Sequence, residues 1–369
     1  MASDRSEFLL DVVPAAPCRS APDLGCRILA GRRGMAAAAP AVEALRRAHG
    51  LDADRLTSLD WFVPRTLLWG NRPVVALVER EGRPVAAVLL YARRQRGMPT
   101  GVVKGGNRAG DGVVVAAPEL RAAALEAAAA AVLAAAPWVH TVLASLRGAP
   151  PWRPDPSPLT GFAAAWHSRE VATHLALAGG FEGVLSRMSP RTRRNYRYFR
   201  RRGERELGLA FTPALGAAEA QEAVAQLHAE SAHPVPRRRA LRWEAAIRGT
   251  PGAFAMGVRD GAGRWLSYLS GWREREDTFV EWQLNHRGHE AASLSTVMRT
   301  YLMEHEAARG AGQIVFVGGT SPALGHYCAP GSCHDLLVTR RGIRGVLARE
   351  LATWLHPRSE VARLARATE

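Results

Sequence analysis

Residues 279–319 read FVEWQLNHRGHEAASLSTVMRTYLMEHEAARGAGQIVFVGG, and the succession of patterns predicts a strand, a polar elbow, a capped helix and a second strand. From Phe279 to Asn285 the residues alternate, so Phe279, Glu281, Gln283 and Asn285 are expected on one side of the strand and Val280, Trp282 and Leu284 on the other. Leu294, Val297, Met298, Tyr301 and Leu302 then recur at helical spacing, with Ser293 as the expected N-cap and Gly310 as the stop. Only small or polar residues, HRGHEAAS, precede this helix, so a ligand can approach its backbone closely. The free amide hydrogens and the dipole at such an end suit a phosphate or pyrophosphate.

The rest of the chain repeats the plan. Residues 73–94, PVVALVEREGRPVAAVLLYARR, read as a β-hairpin, and residues 253–276, AFAMGVRDGAGRWLSYLSGWRERE, read as its twin, with Gly82-Arg83 answering Gly263-Arg264. A helix-like run precedes each hairpin (35–50 and 216–233). After the first hairpin come GVVKGG, an alanine-rich helix and the strand-like WVHTVLAS. Between the halves, residues 147–161 hold five prolines, which break helices and cannot donate to a central ladder. The expected division is therefore a first domain at 1–150, a Pro-rich linker at 151–165 and a second domain at 166–369. Each half is helix, hairpin, strand, helix, strand, a mixed α/β layer architecture.

Composition narrows the setting. A chain of 369 residues with 47% apolar content exceeds the size of a single core, in keeping with two domains. The net charge of +15 is nearly all arginine, with Lys104 the one lysine among 49 basic residues, so local clusters count for more than the total. Asp11 interrupts the only apolar run near the start, so no secretory signal is expected there. The longest apolar tract, 122–139, contains Glu126 and Pro137 and is mostly alanine, which predicts a soluble helix and no membrane span. Four cysteines are too few for a disulfide framework, and the expected location is the cytoplasm.

The elbow, the basic run LSRMSPRTRRNYRYFRRR, the LHAES helix around His228, the hairpin ending SYLSGW, and SLSTVMRTYLMEHEAARG leading into IVFVGG together resemble the GNAT superfamily of acyl-CoA N-acyltransferases. The likeness is greatest to its CelD-like branch and covers most of the chain, with the strongest match from Ser186 to about Arg341. It implies an α/β fold of two tandem GNAT-like mixed-sheet domains with helices on both faces. The first is expected to be degenerate, because its loop GVVKGGNRAGDGVVVAAPEL follows no comparable polar strand. The second is expected to transfer an acyl group from coenzyme A to an amine. The loop HRGHEAAS meets the superfamily's Arg/Gln-x-x-Gly-x-Gly/Ala pattern only in part, with Gly288 lacking the usual framing.

The resemblance also implies roles. Acyl-CoA, foremost acetyl-CoA, would be a co-substrate and no tightly bound cofactor is called for. Backbone groups of Gln283, Leu284 and Asn285 would hold the pantetheine arm and carbonyl, and the helix entry at Ala292, Ser293, Leu294 and Ser295 would hold the pyrophosphate. An amine must lose a proton before it attacks, its unperturbed pKa being about 10.4, and Glu281 lies where such a fold places a carboxylate base. The other reading of Glu281 is a surface carboxylate paired with an arginine. His228 is a second base, an acceptor contact or a helix-packing residue. Tyr327 matches a proton donor to the leaving thiolate, or packs with its hydroxyl satisfied.

Two further clusters stand out. His326, Cys328, Cys333 and His334 are possible zinc ligands, but four on one tight loop would be strained, so no metal is assigned and the loop is read as lining an acceptor cleft. The arginines from Arg191 to Arg205 lie on every side of a helix begun by Ser189 and Pro190. They are a solvated face, an anion site or a contact for tRNA. A tRNA partner belongs to an alternative, a Fem-like aminoacyl transferase, although nothing between Leu207 and Ala253 is long enough for that group's coiled-coil insertion. A non-catalytic GNAT-fold binding protein is a further alternative. The acceptor class is a small-molecule or peptide amine.

Overall fold

The computed structural model describes residues 13–17, 24–95, 97–107, 110–148, 159, 161–231 and 234–341. The segment 1–12 and most of the expected linker lie outside the described residues. The described chain forms two compact units, divided between Glu170 and Val171 and again between Gly331 and Ser332. The later boundary differs from the expected one, because the last strand returns to the first unit.

In the first unit the elements are β1 (Val13–Pro17), β2 (Leu24–Ala30), α1 (Gly31–Ala48), α2 (Leu59–Leu68), β3 (Arg72–Arg80), β4 (Arg83–Gln95), β5 (Met98–Gly105), β6 (Val114–Val115), α3 (Arg121–Ala135) and β7 (Thr141–Arg147). β8 (Phe162–Ala176) spans the division into the second unit. There follow α4 (Gly180–Ser186), α5 (Pro190–Leu207), β9 (Ala210–Thr212), α6 (Ala217–Leu227), α7 (Arg237–Arg248), β10 (Ala253–Arg259), β11 (Trp265–Glu274), β12 (Asp277–Asn285), α8 (Leu294–Ala308), β13 (Gln313–Phe316) and the short α9 (Pro322–Gly325). β14 (Ala329–Arg340) closes the described chain.

The first unit's sheet runs β1-β2-β3-β4-β5-β7-β14, and the second unit's runs from the end of β8 through β13-β12-β11-β10-β9. Each has one parallel pair among antiparallel neighbours. β5 pairs with β7 from Val102↔Thr141 to Gly105↔Ala144, with α3 as the crossover. β12 pairs with β13 from Asp277↔Gln313 to Val280↔Phe316, with α8 as the crossover. The twin hairpins are β3–β4 and β10–β11. In the first, Arg80 faces Arg83 across Glu81 and Gly82, both at positive φ, the two-residue turn that matches the strands' twist.

Both faces of each sheet are covered. In the first unit α3 packs Leu125, Val132 and Leu133 on one face, while α1 packs Met35, Ala38 and Val42 on the other. The alanine tract is thus a buried core helix. Among the described residues no helix is long and apolar enough to cross a membrane. The second unit buries Val297, Met298 and Leu302 of α8 on one face and Val224 and Leu227 of α6 on the other. β14 reaches β7 through Cys333↔Arg147 to Thr339↔Thr141. There the fully buried Asp335 accepts from Arg169 Nε at 2.8 Å and from Ser145 Oγ at 2.6 Å, which compensates its buried charge.

The two parallel pairs end differently. In the first unit the residues after β5 turn back on β7. Arg147 N donates to Gly110 O at 3.0 Å, and side chains at Gly106 or Gly110 would meet the β7 backbone at 2.6 Å.

Candidate active site

In the second unit the β12–β13 ladder stops at Val280↔Phe316, and Val317 N donates to Val280 O at 3.0 Å just beyond. β12 continues to Asn285, held on its other edge by β11. The strands part there, which leaves an edge of β12 facing the exit of β13.

A β-bulge lies at the same point. The register with β11 passes from Gly271↔Val280 to Ser270↔Trp282, so Glu281 is the extra residue. Gly271 makes the bulge possible, since a Cβ there would lie 1.8 Å from Phe279 O. A bulge shifts the alternation by one. Phe279 therefore shares a face with Trp282 and Leu284: it stacks on Trp272 at 5.2 Å, while Trp282 meets Tyr268 edge-on at 6.1 Å. Gln283 and Asn285, opposite Leu269 and Ser267, share the other face with Val280. This corrects the expected single polar face of Phe279, Glu281, Gln283 and Asn285. Below the bulged pair, the Tyr268 hydroxyl donates to Glu244 of α7, whose carboxyl is raised chiefly by burial.

Gln283 Nε2 donates to Asn285 Oδ1 at 3.2 Å, and Ser267 Oγ donates to the same oxygen at 2.7 Å. The Leu284 and Leu294 side chains are buried in the core, so these residues offer only backbone. Ala292 ends a short 3₁₀ turn, Arg287–Ala292. Ser293 occupies the N-cap position but not as expected: it sits at φ 49°, ψ 49°, and its Oγ donates to Thr296 Oγ1 at 2.9 Å, not capping a backbone amide. A left-handed serine costs about 1–2 kcal/mol, and the first-turn amides of Leu294 and Ser295 have no intrahelical acceptor.

His228 Nδ1 bonds Val235 O at 2.9 Å. A carbonyl only accepts, so Nδ1 carries the hydrogen and the lone pair is on Nε2. Its loop meets the elbow, where Arg287 N donates to Glu230 O at 3.0 Å.

Tyr327 stands at the amino end of α5. Its hydroxyl accepts from Ser189 N at 3.3 Å and lies 3.0 Å from Thr192 Oγ1, and hydrogen bonding with the Ser189 side chain, then Thr192 and the Ser189 amide, holds the phenol below the usual tyrosine range. The adjacent Cys328 is pushed by burial to about 11, with Arg299 acting against the rise.

Arg299 escaped the sequence reading because it lies beside the apolar stripe of α8. Its Nη1 donates to Ser321 Oγ at 2.9 Å just past β13, and its guanidinium lies 5.8 Å from the Phe316 ring centroid. The buried Nε has no hydrogen-bond partner among the described residues. Burial lowers the Arg299 pKa while Tyr196 and Cys328 counteract it. A cation next to Met298 of the apolar stripe was the available signal, and it is a weak one.

The four residues considered as zinc ligands divide between the units. His326 and Cys328 belong to the second and Cys333 and His334 to the first. Both ring nitrogens of His334 are engaged, Nδ1 with Ser168 Oγ at 2.8 Å and Nε2 with Gly148 O at 2.9 Å. Burial raises Cys333 to about 12. Of the α5 arginines, Arg197 pairs with Glu182 of α4 at 2.5 Å and Arg200 with Glu304 of α8 at 2.7 Å. Among the described residues no carboxylate pairs with Arg193, Arg194 or Arg201.

The chain resembles solved structures of GNAT fold. One is a tandem GNAT protein from the clavulanic acid biosynthesis pathway, solved without AcCoA, at TM-score 0.50 and 16% identity over 86% of this chain and 99% of that one. FemX gives TM-score 0.50 and 12% identity over 79% of this chain and 94% of its own. L-PGS from Bacillus licheniformis gives TM-score 0.49 and 12% identity over 87% and 97%. No protein-family model matches the sequence, and no curated protein matches it. At these identities the likeness is one of fold: a tandem GNAT fold of α/β mixed sheets.

Proposed function

We propose that this protein is a cytoplasmic N-acyltransferase whose second unit takes an acyl group from coenzyme A, acetyl-CoA foremost, and passes it to a small-molecule or peptide amine. The observation that carries the reading is the parting of β12 from β13 beside the bulge at Glu281. The thioester arm would lie along the β12 edge at Gln283, Leu284 and Asn285. The pyrophosphate would meet the amides at Ala292, Ser293, Leu294 and Ser295, where the strained Ser293 supports a ligand contact.

In the reaction, Glu281 takes a proton from the ammonium and the freed nitrogen attacks the thioester carbon. The C–N bond forms and the C–S bond breaks, Tyr327 gives its proton to the departing thiolate, and the attached nitrogen gives its second proton to the resulting phenolate, leaving a neutral amide and a free thiol. The lowered phenol pKa supports that role, being closer to a thiol's. His228, through Nε2, is the alternative base. Arg299 would offset negative charge near the strand exit.

A second reading, a Fem-like aminoacyl-tRNA transferase, is favoured by Arg193, Arg194 and Arg201, which form no salt bridge among the described residues. The test is thiol release from acyl-CoA with an amine panel, with and without ribonuclease, beside hydrogen exchange at 291–296. Turnover that survives ribonuclease, with coenzyme A protecting those amides, supports the proposal. Activity only with charged tRNA overturns it.

A further inference from the structure

Within the first unit, a pocket of ≈ 500 Å³ opens between α2 and the strands β4 and β5. α2 and its C-cap supply aromatic walls, the adjacent Trp61 and Phe62 in the first turn and Trp69 about two turns on, with Tyr91 of β4 also lining the pocket. Tyr91 pairs directly across the ladder with Lys104 of β5. Trp61 is 6% exposed and Trp69 41% exposed, so the aromatic surface runs from the core out to the mouth.

The charged lining is mostly of one sign. The residues that line the pocket include Arg65, Arg93, Arg94 and Lys104 and one carboxylate, Asp111, which Arg147 approaches to 3.6 Å. Burial also raises the Asp111 carboxyl, against the pull of Arg147. The loop carrying Asp111 is built to wall the pocket. Asp111 N donates to Asn107 Oδ1 at 3.0 Å, and Gly112, at φ +76°, passes so near Leu56 that a Cβ would lie 2.5 Å from its carbonyl oxygen. Aromatic walls that bury a planar body, with a surplus of guanidinium and ammonium groups, select an organic anion.

We propose that the first unit carries its own binding site for a small organic anion with a planar apolar body, an aromatic carboxylate or phosphate ester, between α2 and the β4–β5 floor. The site does not depend on the acyl-transfer reading, and every lining residue belongs to the first unit. Stacking on Trp69 and Tyr91 would hold the body, while Arg65 and Lys104 would hold the anionic group.

Lys104 makes the test specific, because it is the only lysine in the chain. The probe is 8-anilinonaphthalene-1-sulfonate, and the control is N-phenyl-1-naphthylamine, which has the same rings and no sulfonate. Limiting N-acetoxysuccinimide acylates Lys104, read by peptide mass against the terminal amine. Saturating sulfonate probe is expected to slow Lys104 acylation at least ten-fold, and the neutral control to do so far less. Arg65→Ala should weaken the probe at least ten-fold, and Trp69→Ala, at an exposed position, provides a second variant should the first misfold. Displacement of the probe by 1-naphthoate or by phenyl phosphate then assigns the anionic group. Unchanged acylation, equal protection by the neutral control, or displacement by neither anion overturns the proposal.

Discussion

Gly271→Ala tests the bulge on which the catalytic reading stands. An added Cβ would lie 1.8 Å from Phe279 O, 2.9 Å from Phe279 C and 3.2 Å from Val280 Cα, all backbone atoms of the paired strand. No side-chain rotation relieves that clash, so β11 and β12 must part by more than an ångström. Overpacking of this kind costs about 1–3 kcal/mol and sometimes more, and each ladder hydrogen bond pulled open adds about 1 kcal/mol. The expected loss is about 3–5 kcal/mol. Gly263→Ala is the control: its φ is +80° but nothing lies within 4 Å, so it should lose only about 1 kcal/mol through backbone strain. Urea unfolding would be followed by tryptophan fluorescence, to which the fully buried Trp272, stacked on Phe279, contributes, and by far-ultraviolet circular dichroism. Because Glu281 is the bulged residue, acyl transfer by the folded variant should fall by about two orders of magnitude. If Gly271→Ala unfolds within about 1 kcal/mol of the wild type in urea and keeps full turnover, the bulge neither constrains the strand nor sets the site.

Glu281→Gln should lower acyl transfer by about two orders of magnitude at neutral pH with donor affinity retained, measured as kcat/KM beside coenzyme A binding. Wild-type turnover from about pH 6 to 9 would leave His228 as the base. Donors at Ser189 and Thr192 stabilise the Tyr327 phenolate and lower its pKa, so activity that needs the protonated phenol should decline below the usual tyrosine range. Thr192→Val removes one donor and should move that alkaline limb to higher pH, whereas Tyr327→Phe should abolish it. A limb unmoved by both changes would make Tyr327 a packing residue.

Much of the architecture was legible because its signals are local. The Glu81-Gly82 turn, the capped start of α5 at Ser189 and Pro190, and the apolar stripe of α8 each depend on residues adjacent in sequence. The repeated order of hairpin, strand, helix and strand therefore pointed to a tandem fold before any contact was known. Glu281, Gln283 and Asn285 were legible as an unusually polar strand, but their faces were not. Alternation presumes an unbroken register, and the break depends on Gly271 in the neighbouring strand. Arg299 was likewise hidden, since its neighbours Tyr196, Ser321 and Cys328 come from α5 and from the segment after β13.

By itself, then, the sequence determined the types and order of the elements, because propensity, capping and periodicity act over a few residues. Tertiary structure decided where the strands part, which side of β12 each polar residue takes, and that β14 pairs with β7 in the first unit. It also built the pocket from α2, β4, β5 and their loop. These features arise from pairings between distant segments, and the free energy of such a pairing depends on both partners at once, so neither segment carries it alone.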